Sequence, residues 1–188
     1  MRRLLLGTLC LGIGLSSCGD DTQPVPNIIT ELADITTDAG GLTDSLFTDG
    51  GRRLSIANRQ ETKHPSVLFR VLCGYVPDEA GSATLYNTTG VHLLRDSLPA
   101  GKELPYSIIS AWQTHRYVNL RLKYAYALKT HRFSYTTDSI VNGRAYLKIH
   151  HLPVQDEAHY TGHAYASIPW DSIPATRIMI DNTYEFKR

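Results

Sequence analysis

The sequence predicts an all-β chain, a small barrel followed by an antiparallel β-sandwich. Three observations lead there. Apolar side chains recur at every second position through the ordered stretches, which is the period of a strand. Clusters of glycine, asparagine, aspartate and proline cut those stretches into short runs. No segment after residue 17 carries an apolar stripe at helical spacing.

The first element is a targeting segment. Arg2 and Arg3 precede the apolar run Leu4 to Leu15, and Leu15-Ser16-Ser17-Cys18 follows. A helix over those twelve residues reaches only about 18 Å, short of the roughly 30 Å hydrocarbon core. The stretch therefore reads as a cleaved export signal, residues 1–17, rather than a permanent span. The LSSC run has the form of a bacterial lipobox, in which the cysteine is acylated and the chain is cut just before it. Cys18 is accordingly the expected lipidation site, and a lipid membrane the first expected partner. An ordinary secretory signal cut further on is the alternative. Gly19-Asp20-Asp21 is similar to the acidic flank of surface-exported lipoproteins, so the expected location is the outer membrane, facing the cell surface. Residues 18–26 are short, polar or proline, and read as a tether.

Residues 27–98 read as the barrel. Ile28 to Thr37 is apolar and β-branched, and Ala39-Gly40-Gly41 ends it. Residues 42–57 form a hairpin about Asp49-Gly50-Gly51, where glycine and aspartate accept positive φ. Asn58 to Pro65 is a polar loop. Ser66 to Val76 is the densest apolar run: Val67, Phe69, Val71, Cys73 and Tyr75 share one face, while Leu68, Leu72 and Val76 lie on the other, so both faces are expected to be partly covered. Ala83 to Asn87 and Val91 to Leu94 flank Thr88-Thr89-Gly90 and predict a further hairpin.

Asp96 to Pro105, with two prolines and a glycine, is the expected boundary, and residues 105–188 read as the sandwich. Asn119 to Ala127 gives the clearest alternation, with Leu120, Leu122, Tyr124 and Tyr126 on one side and Asn119, Arg121 and Lys123 on the other. Ser107 to Gln113, the run through His131, Phe133 and Tyr135, a strand carrying Ala145, Leu147 and Ile149 after the Asn142-Gly143 turn, His163 to Ile168, Arg177 to Ile180 and Tyr184 to Phe186 complete it. Pro169 and Pro174 fall between strands, where a missing amide proton does no harm.

Composition limits the chemistry. The 188 residues hold 19 Lys+Arg against 18 Asp+Glu, and loss of Arg2 and Arg3 with the signal leaves a mature charge near −1. Broad binding of nucleic acid needs a basic face, so no nucleic-acid partner is expected. Of the three cysteines, Cys10 leaves with the signal and Cys18 carries lipid. Cys73 remains, a buried thiol with no intrachain disulfide partner. All eight histidines survive cleavage, yet none has a metal-ligand spacing: His159 and His163 stand about 13 Å apart along a strand, and His150 and His151 point to opposite faces. No nucleophile elbow, phosphate loop or calcium loop is present. No catalytic residue, metal or cofactor is expected, and the chain does not read as an enzyme. Trp112, Tyr117, Tyr124, Tyr126, Tyr135 and Tyr146 crowd into one part of the sandwich. They read either as cross-strand packing or as an exposed platform for a glycan, peptide or protein.

Taken in order, the LSSC lipobox, TTDAGG and LFTDGGRRL, the RVLCGYV strand, the YVNLRLKYA and HRFSY runs, AYLKIHHLPVQDEAHY and IMIDNTYEFK resemble the NigD-like lipoproteins of Bacteroidetes along nearly the whole chain. The resemblance implies an OB-like N-terminal barrel, a C-terminal β-sandwich and an association with bacteriocin immunity. It carries over no catalytic or cofactor residue. The expected function is thus a surface-anchored, non-enzymatic binding or accessory module, bacteriocin immunity being one version and an envelope protein, a toxin or a glycan its partner. The alternatives are a small envelope hydrolase using His150, His151, Asp156 and His159, and a purely structural lipoprotein. The short connection from Ser97 to Pro105 predicts a rigid tandem.

Overall fold

The computed structural model describes residues 26–97, 102–126, 131–153 and 160–188. The signal, Cys18 and most of the tether lie outside the described residues, as do Asp156, Glu157 and His159.

Five strands close the barrel: β1 (Ile29–Thr37), β2 (Thr43–Thr48), β3 (Arg53–Ile56), β4 (Leu68–Pro77) and β5 (Ser82–Gly90), in the order β1-β2-β3-β5-β4. Closure leaves an interior that must be filled by side chains of one face of each strand. Ala33, Ile35, Leu46, Leu54, Ile56, Val71, Cys73, Tyr75, Ala83 and Leu85 fill it. The β2–β3 hairpin turns where the sequence places it, with Gly51 at φ 86°.

The hairpin expected at Thr88-Thr89-Gly90 does not form. Thr88 and Thr89 are β-branched and extend β5, and Gly90 is not among the residues with positive φ. The turn falls earlier, at Gly81 (φ 82°), where the Asp78 carboxylate accepts from the Ser82 amide at 2.7 Å. The following strand, β6 (His92–Leu93), has left the barrel altogether.

The second half stacks two four-stranded sheets. One has the order β6-β11-β8-β7, from β7 (Tyr106–Gln113), β8 (Tyr117–Tyr126) and β11 (Tyr160–Pro169). The other runs β13-β12-β10-β9, from β9 (His131–Val141), β10 (Arg144–Pro153), β12 (Arg177–Ile180) and β13 (Tyr184–Lys187). Pairing is antiparallel except at β11–β6 and β10–β12, which are parallel, a departure from the wholly antiparallel expectation. The second exception follows from the chain route: a 3-10 turn, Trp170–Ser172, carries the chain out of the first sheet, and β12 enters beside β10. Leu120, Leu122, Tyr135, Leu147, Ile149, Ile168, Trp170, Ile178 and Ile180 make the core between the sheets.

Residues 91–97 connect the halves and are bonded to each in turn. Val91 N–H donates to the Arg70 carbonyl of β4 at 3.0 Å, Leu94 N–H to Ser167 of β11 at 2.9 Å, and Ser97 N–H to Tyr135 of β9 at 2.9 Å. Leu94 itself is buried in the sandwich core. Seven residues thus touch the barrel and both sheets.

Candidate functional site

The halves meet through faces that alternation alone marks as polar. In β1 and β4 the residues facing away from the barrel interior include Asp34 and Arg70, which stand opposite each other in register. In β8 and β11 the residues facing away from the sandwich core include Asn119 and Ser167, also register partners. The two pairs face each other and are buried.

Arg70 organises the junction. Its guanidinium, 1% exposed, donates to Asp49 Oδ2 at 2.7 Å, Asn119 Oδ1 at 3.1 Å, Ser167 Oγ at 3.1 Å and Asp34 Oδ1 at 3.4 Å. The Tyr117 ring lies beneath it, 4.0 Å from the guanidinium carbon to the ring centroid. Tyr117 O–H donates to Asp34 at 3.0 Å, and Arg116 adds an ion pair to Asp34 at 2.6 Å. Asn119 Nδ2 donates to Asp49 at 2.9 Å, and Ser167 Oγ to Asn119 at 2.7 Å. Two arginines balance two aspartates, so the buried charges are paired and hydrogen-bonded. Burial and the facing Asp34 carboxylate hold the Tyr117 phenol above its ordinary pKa, so it stays a donor.

Beside this junction lies a cleft of about 530 Å³, walled by Glu31, Leu32, Asp49 and Leu72 of the barrel and by Trp112 and Tyr165 of the sandwich. The two aromatic rings meet edge to face, 6.5 Å between centroids. Glu31 Oε1 accepts from Tyr75 O–H at 2.5 Å and from Arg52 at 3.4 Å, which fixes one carboxylate at the cleft wall. The combination places an aromatic corner beside carboxylates and threonines.

The aromatic residues singled out in the sequence do not form one platform. Trp112 lies in the cleft and is partly buried. Tyr117 is buried under Arg70, because the barrel covers that face of β8. Tyr135 is buried in the sandwich core, its hydroxyl 3.0 Å from Ser172 Oγ. Tyr124 packs between the sheets against His131, Phe133 and His151. Tyr146 lies on β10, partly buried, its hydroxyl accepting from Arg144 at 3.3 Å. Tyr126 ends β8, and its side chain lies outside the described residues. Nothing in the sequence marks Tyr165: it sits in an ordinary strand run, and its neighbour Trp112 is 53 positions earlier in the chain.

The histidines expected at a hydrolytic site separate as their strand positions require. His150 Nδ1 meets Glu103 at 2.7 Å and its Nε2 meets Thr136 Oγ1 at 2.8 Å, while His151 turns inward to His131, nitrogen to nitrogen at 2.8 Å. His151 also stacks on Phe133 at 4.6 Å. Among the described residues no group of three or more His, Cys, Asp or Glu is placed to hold a metal ion.

No family model matches the chain, and no curated relative does. Solved structures do. A NigD-like immunity protein from Bacteroides caccae is 20% identical with a TM-score of 0.66, covering 87% of this chain and 93% of that one. A protein of unknown function from Bacteroides vulgatus is 14% identical with a TM-score of 0.62, covering 86% and 90%. A candidate lipoprotein from Bacteroides fragilis is 12% identical with a TM-score of 0.56, covering 82% and 88%. The resemblance read from the sequence therefore holds at the level of architecture: this chain has the all-β, barrel-and-sandwich fold of the NigD-like immunity protein.

Proposed function

We propose that the chain is a lipid-anchored, non-enzymatic binding module of the outer membrane, tethered through acylated Cys18 and displayed at the cell surface. The observation that carries the reading is the cleft, in which Trp112 and Tyr165 form an aromatic corner bordered by hydroxyls and by the held Glu31 carboxylate. Such a surface suits a ring-bearing, hydroxyl-rich ligand, and an envelope glycan is its best chemical match. The junction at Arg70 supports this by fixing both cleft walls before a ligand arrives, which reduces the ordering cost of binding. The immunity role named for the Bacteroides caccae protein is a version of the same reading, in which the seated partner is a toxin.

Tryptophan fluorescence tests it. Trp170 is buried in the sandwich core, so a ligand-induced change belongs to Trp112. Titration with purified envelope polysaccharide should give a saturable shift that Trp112→Phe removes. A parent protein with no saturable response, to polysaccharide or to bacteriocin, would overturn the assignment of the cleft. Mass spectrometry of the native protein tests the anchor, which requires acyl mass on Cys18.

A further inference from the structure

Away from the cleft, the closed barrel wall is only briefly paired between β3 and β5. β3 ends at Ile56 and pairs with β5 only at Ser82 and Ala83, although β5 continues to Gly90. The chain after β3 extends the pairing briefly: Ala57 N–H donates to the Ala83 carbonyl at 2.9 Å. The Asn58 side-chain amide then brackets Leu85, donating to its carbonyl at 2.7 Å and accepting from its N–H at 2.8 Å. Asn58 acts there as a single peptide unit laid against the edge.

Past Leu85 that edge of β5 has no strand beside it among the described residues. Tyr86 is the extra residue of a bulge between the Tyr75–Leu85 and Gly74–Asn87 pairs, and a bulge resets which residues face outward. Val91 N–H donates to the Arg70 carbonyl, with Val71 opposite Gly90, which makes Val71–Gly90 a pair that exchanges no bonds of its own. Gly90, and Thr88 two residues earlier, therefore turn N–H and C=O away from β4, and no strand among the described residues receives them.

Those two residues border a pocket of about 450 Å³. Its floor is Ile35, Phe69, Val71 and Leu85, the barrel's own lining, and Leu68 and Leu93 stand half-exposed at its rim. Among the described residues no carboxylate lines it, and Arg70, the one charged lining residue among them, has its guanidinium engaged at the junction. An apolar hole beside unreceived backbone groups fits one kind of ligand.

We propose that this gap receives an extended, uncharged segment of a partner protein, added as a strand along Thr88–Gly90 with one bulky apolar side chain inserted onto Phe69, Val71 and Leu85. Main-chain pairing supplies the orientation, and the pocket selects the side chain. The rim threonines and Gln60 disfavour a charged residue in that position because nothing there neutralises it.

The test uses mature protein, residues 18–188, and a blocked heptapeptide alternating threonine with valine around a central phenylalanine. Calorimetry should show saturable binding, and amide exchange should slow at Thr88 and Gly90. The same peptide N-methylated at alternate residues should bind at least tenfold more weakly, as should the parent peptide against Leu68→Asp. Gly90→Pro removes the outward N–H and narrows φ there and at Thr89, whereas a Cβ at Gly90 meets nothing within 4 Å; Gly90→Pro should therefore weaken binding more than Gly90→Ala, with β1–β4 exchange unchanged in Gly90→Ala. Equal binding of methylated and unmethylated peptides overturns the proposal, as does no binding by folded protein at millimolar peptide. Preference for a neutral single-chain detergent over the peptide would make the pocket a lipid site and overturn it too. So would amides at Thr88 and Gly90 already protected in free protein, which would mean that the chain covers its own edge.

Discussion

Removing the Arg70 fork should both destabilise the protein and uncouple its halves. Arg70→Met keeps most of the apolar stem and deletes four donated contacts, to Asp34, Asp49, Asn119 and Ser167. Asp34 keeps Arg116 and Tyr117, and Asp49 keeps the Asn119 amide, so neither carboxylate is stripped bare. The junction nevertheless passes from balanced charge to one uncompensated carboxylate in a largely dry place. Breaking a buried pair in this way costs about 3–5 kcal/mol, a large fraction of the roughly 5–15 kcal/mol that holds a typical domain. Arg70→Lys keeps the charge but cannot reproduce a planar fork, and should cost about 1–3 kcal/mol. In Arg70→Met/Asp34→Leu the surplus charge is gone, so the loss should fall short of the summed single losses by at least about 1.5 kcal/mol. Urea unfolding at pH 7.5 reads these values. Two probes report separately, because Trp170 sits in the sandwich core and Cys73 in the barrel interior. In Arg70→Met, Cys73 should become reactive at a lower urea concentration than that at which Trp170 emission changes. A loss below about 1 kcal/mol, additive with Asp34→Leu, would refute the reasoning.

Three further outcomes follow from the structure. Burial, with the His131 charge close by, holds His151 below its ordinary pKa, and burial does the same to His92. The unfolded chain then binds more protons than the folded one as pH falls below about 6.5, so stability should be full above that pH and decline beneath it. Denaturant midpoints that stay level from pH 7.5 to 5.5 would contradict this. Burial, reinforced by the Glu31 charge, pushes the Cys73 thiol up to about 11, so a disulfide reagent at pH 8 should label folded protein no faster than the barrel opens. Gly41 has φ 84° and an added Cβ would lie 2.9 Å from the Thr62 carbonyl oxygen, whereas Gly51 has φ 86° and open space. Gly41→Ala should therefore lower the urea midpoint more than Gly51→Ala, whose cost is about 1 kcal/mol of backbone strain alone.

Much of the candidate site was illegible in sequence for a single physical reason. Alternation in β8 separates Leu120, Leu122 and Tyr124 from Asn119, Arg121 and Lys123, and the first set does face the core. The period says nothing about what lies against the second set. Asn119 and Arg121 occupy equivalent positions in the pattern, yet Asn119 is buried against the barrel and Arg121 is exposed. The same ambiguity sent Tyr117 and Trp112 to one predicted platform, although one ends beneath Arg70 and the other lines a cleft. Nothing in the period singles out Arg70 within its apolar strand. The expectation that both faces of that strand are partly covered is the visible trace of its burial.

Local chemistry alone determined the strand character, the turns at Asp49-Gly50-Gly51 and Asn142-Gly143, the buried Cys73 and the order of barrel before sandwich. Each of these depends on backbone preference or on apolar period, properties carried by a few consecutive residues. Tertiary structure decided the rest: the departure of His92–Leu93 from the barrel, the parallel β10–β12 pair, the burial of Arg70 and Asp34, and the meeting of Trp112 with Tyr165. Those outcomes belong to surfaces brought together from distant parts of the chain, and a surface has no partner until the whole chain has closed on itself.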